Sequence, residues 1–288
     1  MSSSASVSDF PLEDTLGGGE YHPDEHYLGG GADQLYFGHS PARPGERYLI
    51  TMAPDSGLAL ERLRPKLMQV VPGFFEPMFV GHFDAVRDDA ELDSYRTTRC
   101  GLVERLPEGG PLKRVVPDAR PWATSLGRQV GALLSAAVAA GGENLTGLRP
   151  EFVWVRMEGE NPIVSGLGGR SGMFLASAAR RRDLPTAPLF TQKYFAPEVY
   201  RGEPHDDRAL VLTLAVMIAE WATGEYPYAM DGRWGYSNLC AGRHRELALE
   251  RRLADLLVSG LRPDATERPD LATFVEALER LQPDGSGP

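Results

Sequence analysis

Few residues in this chain of 288 have the type and spacing to do chemistry. Lysine, which holds phosphate as a point charge, occurs only as Lys66, Lys113 and Lys193. Cys100 and Cys240 lie far apart and form no ligand cluster, which excludes a disulfide scaffold and a cysteine zinc site. His22 and His26 are spaced to share a helix face with Asp24 and Glu25 between them. Pro23 denies that helix, so the stretch reads as a solvated linker. Leu28-Gly-Gly-Gly-Ala-Asp-Gln34 offers the mobile backbone that cradles phosphate, or a tight turn. No Gly-x-Ser-x-Gly elbow supports a hydrolase triad.

The elements that must position such groups fall into two textures. Met1 to Glu20 is Ser/Gly/acidic and reads as a disordered tail with no signal peptide. Residues 21–106 are β-rich. Leu35–Phe37, Arg47–Met52, Pro77–Val86 and Thr97–Val103 read as strands, and Leu58–Val71 as a helix that Pro65 interrupts. Residues 107–282 are helical, with Trp122–Ala140 ending at Gly141-Gly142 and Ala209–Ala222 ending at Gly224. The second of these is apolar nearly all round and must be buried on every side. Arg245–Ser259 and Leu271–Leu281 carry amphipathic spacing, and residues 283–288 form a short tail. A small β-rich lobe followed by a larger helical lobe is a bilobal α+β arrangement.

Composition narrows the function. Thirty basic residues against 40 acidic ones leave a net charge of −10, which argues against nucleic acid or an anionic membrane as partner. The longest apolar runs are about half of the roughly 20 residues a membrane span needs. The expected compartment is a reducing cytoplasm with free thiols.

Tyr194-Phe-Ala-Pro-Glu198 precedes the buried helix, Glu220-Trp-Ala-Thr-Gly-Glu-Tyr-Pro-Tyr228 follows it, and Leu261-Arg-Pro-Asp-Ala-Thr-Glu-Arg-Pro269 comes later. Upstream stand Leu102-Val-Glu-Arg-Leu-Pro-Glu-Gly-Gly-Pro-Leu112 and Leu148-Arg-Pro-Glu151 before the strand Val153–Val155. In this order and at these intervals the set resembles the protein kinase family, with a hinge, a catalytic-loop neighbourhood and an Ala-Pro-Glu signature. The resemblance covers roughly residues 21 to 282. It implies that Glu198 and Arg268 form a buried, bidentate ion pair clamping the segment before the buried helix to the helices after it.

The same resemblance exposes what is missing. Phosphoryl transfer needs a carboxylate base, an Asn and an Asp for metal ions, and a strand lysine for phosphates. Anchored on Arg149-Pro-Glu151, the base position is Gly147 and the Asn position is Phe152. The Asp-Phe-Gly stretch falls on Gly166-Leu167-Gly168, so Gly166 replaces the metal-holding Asp. The strand lysine falls on Thr51 or Met52, and no lysine precedes Lys66. Glu61 is the candidate for that lysine's helix partner, or a solvated charge. The glycine loop keeps Gly29 and Gly31 but has Gln34 at its third place. The aspartate expected near the start of the buried helix is Leu210, with Asp206 or Asp207 as substitutes. The implied state is a pseudokinase.

Gly166–Glu198 corresponds to the activation loop and holds Ser171, Ser177, Thr186 and Thr191, one of which is a candidate phosphate acceptor; Thr191 stands where the family keeps a structural threonine. Arg180-Arg-Arg182 within it suits a phosphate or an acidic partner, or is a solvated basic loop. The expected function is a catalytically inactive binding or regulatory module, bacterial in type from its Arg-over-Lys usage. Its expected partner is a protein, either an active kinase or a phosphopeptide-binding domain. No cofactor is expected beyond weak or magnesium-independent ATP binding, for which Gly29, Gly31, Glu104 and Leu106 are vestigial contacts. The alternatives are a nucleotide-binding sensor and a non-standard ATP-dependent transferase using carboxylates such as Glu151 or Glu143.

Overall fold

The computed structural model describes residues 20–30, 33–54, 60–87, 95–142, 145, 148–168, 193–229 and 235–281. Both expected tails, apart from Glu20, lie outside these residues. So do Gly31, Glu143, Gly147 and the hydroxyl and arginine candidates between residues 169 and 192. The described residues fall into two compact units. The first lies within residues 1–68 and 77–106, and the second within 69–76 and 107–288. The chain therefore changes unit near residue 106, and the short segment Gln69–Glu76, expected in the β-rich half, belongs to the second unit.

The first unit is a five-stranded sheet. Its strands are β1 (His22–Gly30), β2 (Asp33–His39), β3 (Tyr48–Pro54), β4 (Glu76–Arg87) and β5 (Tyr95–Arg105), in the order β1-β2-β3-β5-β4. The linker expected around His22 is instead the edge strand β1. An edge position tolerates Pro23, because an N–H facing solvent is not needed by the ladder. The pairing with β2 slips twice, between Pro23 and Glu25 and between His26 and Leu28. His22 stacks on His39, which hydrogen-bonds Asp24 at 2.7 Å. Among the described residues no group of three or more His, Cys, Asp or Glu is placed to hold a metal ion.

Register sorts the sheet into two faces, since cross-strand partners share a face. Tyr36, Ile50 and Val103 form one row and pack with Tyr21, Tyr48 and Met52. Leu35, Thr51 and Leu102 form a row on the other face, beside Phe37, Leu49 and Glu104. All twelve are buried. Among the described residues the helix here is α1 (Leu60–Leu67), which contains Pro65 and ends two residues beyond it.

The second unit is built around α3 (Ala123–Ala139) and α5 (Arg208–Thr223), preceded by the short α2 (Leu112–Val115) and α4 (Pro197–Arg201). Every residue of α5 from Ala209 to Ala219 is buried, as its unbroken apolar run demands. Gly127 and Gly131 on α3 let the helices approach closely. A Cβ at Gly127 would meet Ile218 at 2.5 Å, and one at Gly131 would meet Val275 at 2.8 Å. Gly224 ends α5 with φ +78°, a left-handed cap.

After α6 (Tyr236–Cys240) come α7 (Arg251–Gly260) and α8 (Leu271–Arg280). The helix expected from Arg245 starts only at Arg251, because Glu250 is extended and caps it by accepting from the Arg252 and Leu253 N–H groups. Asp270 caps α8 in the same way through Thr273 N–H.

A three-stranded sheet, β6 (Gly110–Pro111), β7 (Val153–Glu158) and β8 (Asn161–Leu167), completes this unit. Gln129 of α3 serves β8 as a surrogate strand. Its amide donates to the Pro162 carbonyl at 3.1 Å and accepts from Val164 N–H at 2.8 Å.

Candidate functional site

In the second unit, the stretch Leu148 to Phe152 is shaped by Pro150. A residue before proline is pushed to extended backbone, and Arg149 is extended at φ −161°, ψ 164°. Pro150 then opens a single 3-10 turn through Phe152, closed by Phe152 N–H to the Arg149 carbonyl at 2.9 Å. Phe152 is fully buried, and its carbonyl accepts from Gly168 N–H at 2.8 Å. A phenyl ring therefore occupies the matched Asn position, with the buried Arg149 guanidinium 4.3 Å from its centroid. The matched base position, Gly147, lies outside the described residues.

Gly166 stands opposite Trp154 in the β7–β8 ladder, next to a bulge. Around it the space is filled. A Cβ on Gly166 would meet Pro107 Cγ at 2.9 Å and two Phe75 ring atoms at 3.3 Å. A Cβ on Gly168 would meet Phe75 Cε2 at 2.7 Å and Phe152 Cβ at 3.2 Å. Phe75 is buried edge-on against Trp154, with centroids 5.7 Å apart. Backbone bonds fix it there: Phe75 N–H donates to the Leu167 carbonyl at 2.8 Å, and Leu167 N–H donates to the Gly73 carbonyl at 2.9 Å. Gly73 makes this approach possible with φ +77°, and a Cβ there would meet Leu133 Cδ2 at 2.7 Å. The matched metal-holding stretch is thus a pinned strand end beneath an aromatic ring.

Charge in this unit concentrates on Glu151. Burial pushes its carboxyl up, but Arg149, Lys113 and Lys193 outweigh that and hold it below the ordinary range. Arg149 Nε lies 3.8 Å from it and Lys113 Nζ 3.4 Å. Neighbouring cations that favour the charged form of this carboxylate make it a weaker proton acceptor.

Glu198 and Arg268 meet as a bidentate pair, Nη1 to Oε1 at 2.7 Å and Nη2 to Oε2 at 2.9 Å. Arg268 also donates to the carbonyls of Arg262, Arg208 and Pro263, so all five of its N–H groups are used. Asp207, weighed as a substitute anchor for a catalytic loop, accepts instead from Leu271 N–H at 3.1 Å and ties α5 to α8. Leu210 is buried in α5.

In the first unit, Thr51 and Met52 are both buried but lie on opposite faces of β3, so neither choice of register supplies a cation. Lys66 is exposed in the last turn of α1. Gly29 is not in an open loop, because it pairs with Gln34 as the β1–β2 ladder continues to Gly30 and Asp33. Glu104 is fully buried opposite Leu49. Leu106 is buried, and its N–H, the group a hinge residue would offer a ligand, donates to the Arg47 carbonyl at 2.9 Å.

Spacing arguments missed Phe75, which acts across a long sequence separation. They also did not bring Lys193, Tyr194 and Glu220 together, for which the scarcity of lysine was the available signal.

No protein-family model matches the chain. It is 31% identical over 102 residues to serine/threonine-protein kinase STY17 of Arabidopsis thaliana, a match covering 33% of this chain and 18% of that protein. It is 29% identical over 96 residues to probable serine/threonine-protein kinase SIS8 of the same plant, covering 32% of this chain and 9% of that one. The matches therefore span less than a fifth of either relative. Among solved structures, the Rad53 kinase domain and SCD2 in complex with AMPPNP aligns with TM-score 0.56 at 13% identity, covering 88% of this chain and 90% of that one. Rad53 residues 1–466 with AMP-PNP align with TM-score 0.59 at 15% identity, covering 89% and 64%. The chain has a protein-kinase-like, α+β fold.

Proposed function

We propose that this chain, protein-kinase-like in fold, does not transfer phosphate and acts as a binding or regulatory module through contacts with other proteins. The observation that carries the reading is the filling of the space at Gly166 and Gly168 by Phe75 and Pro107. A metal-holding carboxylate there lacks both its residue and its room. Phe152 in place of the second metal ligand and uncharged Thr51 or Met52 in place of the lysine support the same conclusion. The Leu106 N–H, committed to Arg47, supports a chain with no resident nucleotide.

The partner we propose is a protein, an active kinase or a phosphopeptide-binding domain, met in the cytoplasm. A net charge of −10 disfavours nucleic acid and anionic membrane, and no helix among the described residues is long and apolar enough to cross a membrane. The test is incubation of the purified chain with ATP, magnesium or manganese and general protein acceptors, read by intact mass. The reading expects no phosphate gain on chain or acceptor, and transfer above a no-enzyme control would overturn it.

One second reading has an observation in its favour. The relatives are named kinases, and the similar solved structures hold AMPPNP or AMP-PNP, which favours retained nucleotide binding as a sensor or an unusual transferase. That reading expects ATP to bind, and the transferase version expects modification by other carboxylates such as Glu151.

A further inference from the structure

Among residues to which the catalytic comparison gives no role, the second unit gathers charges around one buried phenol. Tyr194 is fully buried, and its hydroxyl donates to Glu220 Oε2 at 2.5 Å. Lys193 places its ammonium 3.3 Å from Glu220 Oε1, 4.7 Å from the Tyr194 ring centroid and 5.2 Å from that of Tyr226. The Tyr226 hydroxyl donates to the Lys193 carbonyl, and Thr213 of α5 donates to the Tyr194 carbonyl at 2.8 Å. Glu151, held by Lys113 and Arg149, adds its charge to the field at the same phenol and feels that of Lys193. Burial, Glu151 and Glu220 together push the Tyr194 phenol well up, which keeps it a neutral donor.

Two of the chain's three lysines are thus committed to these two carboxylates. Lys193 is the one that touches Glu220, and both side chains are mostly withdrawn from water, at 22% and 17% exposure. A half-dry ion pair over aromatic faces is worth more than a surface pair, because solvent screens it less. Without that ammonium, Glu220 would keep the Tyr194 hydroxyl but lose its counter-charge, while the Glu151 charge still acts on the same phenol.

We infer that Lys193 is an electrostatic latch: its positive charge, held by Glu220 between the Tyr194 and Tyr226 rings, tightens residues 193–201 onto α5, and removing that charge loosens them. The segment it holds includes α4 and Glu198, which the Glu198–Arg268 pair fastens from its other end.

The test is hydrogen exchange of residues 194–201 in the full chain, comparing wild type with Lys193→Met, Lys193→Arg and Glu220→Gln at one pH. Loss of a charge-assisted contact predicts roughly tenfold faster exchange in Lys193→Met, confined to this segment. Lys193→Arg keeps the protection. Glu220→Gln, which leaves the lysine in place, gives the same local increase, and adding Lys193→Met to it changes exchange by less than about twofold. Wild-type protection in Lys193→Met would overturn the latch. Equal loss in Lys193→Arg, or faster exchange spread evenly through α3 and α8, would overturn it as well.

Discussion

The ring of Phe75 lies where a side chain on Gly168 would begin, 2.7 Å from the position of its Cβ. Its neighbour Gly166 is confined by the same ring and by Pro107. Overpacking a fixed core position costs about 1–3 kcal/mol, because backbone bonds prevent the ring from yielding. Gly168→Ala is therefore expected to lower unfolding free energy by about that amount in urea, and Phe75→Leu in the same chain to recover part of it. Gly166→Asp is expected to lose stability without gaining affinity for manganese. A stable Gly166→Asp chain that binds manganese would show that the room for a metal site remains.

Arg268 spends all five N–H groups, two of them on Glu198 and three on carbonyls. Breaking a buried pair from one side strands the other charge, at about 3–5 kcal/mol. Glu198→Ala should show that loss in denaturant melts. Arg268→Lys should lose nearly as much, since an ammonium cannot reproduce the planar fork. A Lys variant within about 1 kcal/mol of wild type would mean that charge alone matters here.

The pH dependence of stability has a definite sign at each end. Glu151 has a folded value below its ordinary 4.5, so between the two values the unfolded chain binds more protons. Its contribution is present above 4.5 and is lost as pH falls through the lower folded value. Tyr48 is pushed up to about 12 by burial and by Glu46, so its contribution is full below 10 and is lost as pH rises from 10 through about 12. Thermal melts across pH should show a plateau between these limits. In Glu151→Gln the acid-side decline should be shallower, and an unchanged decline would contradict the assignment.

Gln129 makes two bonds to the β8 backbone, and truncating it leaves the Pro162 carbonyl and the Val164 N–H without that partner. Gln129→Ala should cost about 1–3 kcal/mol and speed exchange of the Val164 amide before that of α5. Unchanged exchange at Val164 would mean that water replaces the amide at no cost.

How much of this was legible in the sequence depended on whether the signal was local. The unbroken apolar run before Gly224 allowed only a buried helix, and α5 is one. The flanking motifs point to Glu198 and Arg268 as a pair, and the two side chains meet bidentately. β1 was hidden because Pro23 and its glycines argue against a strand, and only an edge position tolerates them. β8 carries Pro162 and Gly166 inside it and depends on Gln129, a residue of a distant helix. Arg245 to Leu249 continued an amphipathic pattern that the extended Glu250 cap overrules. Phe75 and Lys193 act through partners far along the chain, and no period or spacing encodes such contacts.

The central claim is that no metal-dependent nucleotide chemistry remains, and calorimetric titration with ATP, with and without magnesium, tests it most directly. The account predicts no magnesium-dependent heat, whether ATP alone is silent or binds weakly. Binding that requires magnesium would contradict it, since carboxylates outside the matched positions would then be holding the metal.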